Sequence, residues 1–160
     1  MASRAKDNDV SLAPADTPAG ADYDRDFYSW LLEQARHVGA GRWTAVDRKN
    51  LAEEIESLGR EQFNKLESAL RVLMLHMLKW DHQPALRGRS WRASIGEQRL
   101  RLNNILIDNP GLRPRIDEAI SRAYDRARLR AVKETDLDEK TFPATCPYSW
   151  DDLVSREFPL

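Results

Sequence analysis

A single cysteine, Cys146, stands in the 160 residues, so no intrachain disulfide can staple the fold. That scarcity suits a reducing compartment. No stretch approaches the roughly 18 consecutive apolar residues of a membrane span, and the opening MASRAKDNDVSLAPADTPAGA holds no apolar core of a secretory signal. A cytoplasmic protein without membrane contact is the expectation. Histidine is scarce as well, with only three, and none has Glu three residues before it, the step that carboxylate-bridged metal bundles use. Glu33 and His37 share a helix face but lack a matching pair, so no metal and no cofactor is expected. Gly39-Ala-Gly41 and Arg87-Gly-Arg89 follow no strand pattern, which excludes a phosphate-cradling loop. Cys146 has no spacing-defined histidine to activate it, so a thiol nucleophile is not expected either.

What remains is an ordinary globular composition: 41% apolar, 32% charged, net charge −1 and five tryptophans. Residues 1–21 are rich in Ala, Asp, Ser and Pro and bury too little to offset the entropy of ordering, which predicts a disordered tail ahead of one domain over 22–160. Asp22, Asp24 and Asp26 crowd the start of a first helical run (Phe27, Trp30, Leu31, Gln34, Ala35, Val38) that Gly39 and Gly41 stop. A second helix starts near Asp47 and carries apolar residues at helical spacing to about Asp81, with Gly59 as a point where it could kink. After Pro84 and Gly88, Ser90 is expected to cap a third helix ending at Asn109-Pro110-Gly111, in which Gly96 suggests a close backbone approach. A fourth begins around Arg113 and presents Ile116, Ala119, Ile120, Ala123, Tyr124, Ala127 and Val132 on one face. Phe142 to Tyr148 reads as an extended strap, and Ser149 with Asp152 as the capped start of a short final helix. No window alternates with period two. The fold class is therefore all-α, an antiparallel four-helix bundle with a C-terminal strap and a short last helix.

Near-neutral net charge hides segregation. Residues 87–133 hold twelve basic side chains against five acidic ones, while the flanking segments are acidic. Such a block either steers anions or is neutralised inside the bundle by its acidic neighbours. Within it, Arg87, Arg89, Arg92, Arg99 and Arg101 surround Trp91 near a helix start, a combination suited to phosphate contact and base stacking. Alternatively Trp91 is a core anchor, and Arg92 and Arg99 pair with Glu53, Glu54 and Glu56. His76 falls on the apolar stripe of Ala69, Val72, Leu73, Met77 and Trp80, so it should be buried, with a partner among those glutamates or the third helix's arginines.

Several segments together carry a resemblance. Tyr23-Asp-Arg-Asp-Phe-Tyr-Ser-Trp-Leu31, Asn50-Leu-Ala-Glu-Glu-Ile-Glu-Ser-Leu-Gly59, Leu75-His-Met-Leu-Lys-Trp80, Ser90-Trp-Arg92 with Glu97-Gln-Arg99, and Phe142-Pro-Ala-Thr-Cys-Pro-Tyr148 resemble the bacterial "domain of unknown function 29" family over about 23–158. The resemblance implies a mainly helical, bacterial, cytoplasmic protein and no activity. It also groups Glu54, His76, Trp80, Trp91, Arg92 and Arg99 as a candidate polar-aromatic centre. Three functions stay open. The leading one is a non-catalytic helical module that binds a protein partner or self-associates, with Trp30, Trp43 or Trp150 as surface anchors. The alternatives are nucleic-acid binding through 87–133, and a small enzyme using the centre around His76.

Overall fold

The structure, a computed structural model, describes Gly20 and residues 22–159. Apart from Gly20, the expected tail over 1–21 lies outside the described residues. All regular structure among them is helical: α1 (Phe27–Gly39), α2 (Arg48–His82), α3 (Arg89–Asp108), α4 (Ile116–Thr135) and α5 (Trp150–Ser155), with short 3-10 turns between. The chain divides into two compact units, residues 1–56 and 57–160.

In the first unit, α1 starts where the sequence says it should. The Asp26 side chain accepts from Ser29 N at 3.0 Å, which holds its carboxyl below the ordinary range and satisfies a free amide of the first turn. Gly41, at φ +67°, follows the helix end, a conformation that favours glycine. Trp30, buried, meets Tyr23 edge-on with centroids 4.8 Å apart and stacks on Phe27 at 5.8 Å. The buried Gln34 accepts from Asp47 N at 2.8 Å, and Asp47 in turn caps α2 by accepting from Asn50 N at 3.2 Å. Trp30 is thus a core residue rather than a surface anchor; Trp43, 64% exposed, stays outside.

The second unit is organised by the C-terminal part of α2. From Lys65 to Gln83 no residue is exposed, because Leu66, Leu70, Leu73, Met74, Leu75, Met77, Leu78 and Trp80 spread apolar surface around most of the helix. One hydrophobic core joins them to Ile95, Leu102 and Leu106 of α3, to Ala119, Ala123, Tyr124, Ala127 and Ala131 of α4, and to Phe142, Tyr148, Leu153 and Phe158 beyond. Glu67 meets Arg122 and Arg126 while Lys79 meets Glu134, so α2 and α4 run in the same direction, as alternate members of an up-and-down arrangement must. The strap turns back along α4: Arg128 Nε donates to Phe142 O at 3.3 Å and Tyr124 Oη to Pro143 O at 2.7 Å. Ser149 and Asp152 then close a reciprocal capping box on α5. Trp150, half-buried, packs against the core and is not a free anchor.

Two expectations about α3 need correction. Its cap is Gly88, in extended conformation at φ −158°, and Ser90 lies inside the first turn, because the helix already begins at Arg89. Gly96 is exposed, and a Cβ there would meet nothing within 4 Å, so no backbone approaches it. Gly59 also leaves α2 unbroken, with open space around it. Helical glycines with room for a methyl group cost stability only through chain entropy. Gly59→Ala and Gly96→Ala should each therefore raise unfolding stability by roughly 0.4–1 kcal/mol in urea titrations; a loss at either position would expose a constraint absent from this fold.

Candidate functional site

Carboxylates at the helix seams organise most of the polar side chains of the second unit. Asp81, near the end of α2, accepts from Tyr148 Oη at 2.9 Å and from both terminal nitrogens of Arg156. Burial, and then the Asp81 charge, push the Tyr148 hydroxyl far above its ordinary range, while the same carboxylate holds Arg156 firmly protonated. Phe158 covers this end, edge-on to Trp80 at 5.4 Å, with the guanidinium groups of Arg99 and Arg156 over its ring at 5.3 and 5.1 Å. Removing the hydroxyl in Tyr148→Phe should cost about 1 kcal/mol of stability, the net value of one such bond, since Arg156 still satisfies Asp81.

The candidate centre distributes as follows. Glu54 lies in the first unit, where Tyr23 Oη donates to it. Trp80 and Arg99 share Phe158, and Arg87 lies over Trp80 at 5.5 Å while donating to Trp80 O at 2.9 Å. Arg99 does not pair with the α2 glutamates. It donates to Leu153 O at 2.8 Å and to Asp152 O at 3.0 Å, carbonyls near the C-terminus of α5, the second of which also accepts from Arg156 N. Trp91 is tied to α2 by Lys79, whose ammonium lies 5.0 Å from its ring centre. Arg92 is exposed and reaches no carboxylate among the described residues. His76 is half-buried, with Nδ1 enclosed and without a hydrogen-bond partner. Among the described residues, the glutamate or arginine partner expected for it does not reach it. Its charged neighbours are Lys79, Glu134 and Arg130, of which Glu134 is already held by Lys79 at 3.0 Å and Arg130 at 2.7 Å.

Burial, and then the Lys79 charge, lower the His76 pKa from 6.5, so the unfolded chain takes up this proton before the folded one does. Stability is therefore full above about pH 6.5 and declines as pH falls through the lowered value. The urea midpoint should drop between about pH 7.5 and about pH 5.5, and drop less in His76→Met.

The basic block resolves into two parts. On α4, Arg122 and Arg126 both pair with the buried Glu67, at 3.1 and 2.6 Å; Arg115 pairs with Glu118, Arg128 with Glu139 and Arg130 with Glu134. Glu67 was not singled out from sequence, although its helical position in line with Met74 and Leu78 marks a carboxylate on a buried stripe. Around α3, Arg89, Arg92 and Arg101 are exposed and pair with no carboxylate among the described residues. Among those residues, no group of three or more His, Cys, Asp or Glu side chains could hold a metal ion, and no helix is long and apolar enough to cross a membrane. Burial raises the Cys146 thiol, whose Sγ donates to Tyr148 O at 3.6 Å, leaving it less reactive than a free cysteine.

Exposed aliphatic residues stand on α2 (Ile55, Leu58) and α4 (Leu129), and α3 carries a longer stripe of small and apolar side chains. Opposite the buried Ile95, Leu102 and Leu106, the outward side presents Ala93, Gly96, Leu100, Asn103 and Ile107, all exposed, with Leu100 at 62% and Ile107 at 59%. A family model, the domain of unknown function DUF29, matches residues 23–159. The chain belongs to the DUF29 family. That description names no activity. No curated protein and no solved structure matches it.

Proposed function

We propose that this DUF29 chain is a non-catalytic helical interaction module of a bacterial, cytoplasmic protein, and that the outward face of α3 is its contact surface. The observation behind this reading is the exposure of Leu100 and Ile107, two aliphatic side chains one heptad apart on a helix whose other face already lies in the core. Two large aliphatics on one exposed stripe, beside small residues, let another helix approach closely. Against nucleic-acid binding stands the pairing of Arg115, Arg122, Arg126, Arg128 and Arg130 with carboxylates, which neutralises much of the basic block. Against an enzyme stands the absence, at His76, of any carboxylate not already held by two cations.

A photo-crosslinking residue at Asn104 tests the reading in cells. A discrete protein adduct is expected, lost in Leu100→Asp/Ile107→Asp, while the purified variant keeps its folding stability because neither side chain is in the core. Crosslinking to nucleic acid, or no adduct at all, would contradict it.

A further inference from the structure

We propose that a cleft between α2 and α4, with the buried Glu67 in its wall, binds the phosphate group of a small, hydroxyl-bearing phosphate monoester. The site is independent of the α3 face. Asn64, Glu67, Ser68 and Arg71 stand at i, i+3, i+4 and i+7 on one face of α2, and Arg122 and Arg126 lie one turn apart on α4. These six side chains, all polar or charged, line a space of about 470 Å³.

Two observations point to an anion. The first is Arg71. Between Leu66 and His82, α2 carries four Asp, Glu, Lys or Arg side chains, and three of them meet an opposite charge: Glu67 on Arg126 at 2.6 Å, Lys79 on Glu134 at 3.0 Å, and Asp81 on Arg156. Arg71, half-buried, meets none among the described residues. A guanidinium partly withdrawn from water with no counter-charge destabilises the fold, and an anion in the cleft removes that cost.

The second observation is a surplus of fixed donors. Glu67 accepts from Arg126 Nη1 at 2.6 Å and lies 3.1 Å from Arg122 Nε, so one buried carboxylate anchors both α4 guanidinium groups. Arg122 also lies over the Phe63 ring at 5.3 Å and reaches Glu118 at 3.5 Å, an acid that Arg115 already holds at 2.9 Å. Side chains anchored in this way have less freedom left to lose when a ligand arrives. Each guanidinium has five N–H donors, so most of those in the cleft still lack an acceptor. Three arginines less one glutamate leave two positive charges, which matches the roughly −1.5 to −2 of a phosphate group at neutral pH. Guanidinium forks also fit paired phosphate oxygens. The cleft holds more than a phosphate group, and Asn64 and Ser68, an amide and a hydroxyl with no side-chain hydrogen bond among the described residues, suit the hydroxyls of an attached organic part.

The test is isothermal titration calorimetry of the purified full-length chain with glycerol 3-phosphate, glucose 6-phosphate and inorganic phosphate. One site per chain is expected, with at least one monoester bound about tenfold or more tighter than inorganic phosphate. Arg71→Gln should weaken that binding about tenfold or more. Because Arg71 holds no carboxylate among the described residues, this variant keeps its fold, which circular dichroism melts verify. Arg92→Gln, which removes an exposed cation from α3, should leave the affinity unchanged. Equal losses in the two variants overturn the cleft in favour of diffuse surface charge. Binding indifferent to Arg71→Gln, or no heat from any of the three compounds at about 10 mM, overturns the site outright. Inorganic phosphate bound as tightly as both monoesters overturns the organic part of the ligand.

Discussion

Seventeen consecutive residues of α2, Leu66 to His82, without one exposed member set the problem that the rest of the second unit answers. A helix this apolar cannot stand in water with a single neighbour, because each uncovered leucine forfeits roughly 1.5–3 kcal/mol of burial. α3 and α4 contribute to its core but do not close it. The strap contributes Phe142 and Tyr148 to the cover, α5 adds Leu153, and Phe158 follows it. That is why a segment with neither helix nor strand is as buried at its anchor points as the helices themselves, and why the chain continues past Thr135 at all.

Polar groups follow from the same constraint. Carboxylates at the helix seams are met by cations: the buried Glu67 by Arg122 and Arg126, the more open Glu134 by Lys79 and Arg130, and the half-buried Asp81 by Arg156 together with the Tyr148 hydroxyl. A buried charge is tolerated only when paired and hydrogen-bonded. The arginine-rich composition of α4 is in this sense a consequence of where the acids of α2 lie. Arg99 fills a different need, as a cationic donor to two carbonyls at the C-terminal end of α5.

Helix number, order and ends were readable because they rest on local rules: Asp26 and Asp47 as caps, Asn109-Pro110 as a stop, Ser149 with Asp152 as a capping box. The cap of α3 was not, since a glycine in extended conformation satisfies no side-chain rule and Ser90 looked better. Partners of charged residues were legible only as alternatives. Helical periodicity places His76 on a face but cannot say that Lys79 and Glu134 stand next to it, and the Asp81–Tyr148–Arg156 cluster joins residues up to 75 positions apart. Gly96 was misread because a glycine in a helix signals either close approach or mere tolerance, and only three-dimensional surroundings separate the two.

α3 faces the core around α2 on one side and presents Leu100 and Ile107 outward on another. That division is the centre of the functional account, and carbene footprinting of the purified chain reads it residue by residue. Leu73 and Leu78 should stay unlabelled, while Leu100 and Ile107 should label strongly. Leu100 and Ile107 labelled no more than Leu73 and Leu78 would contradict the account.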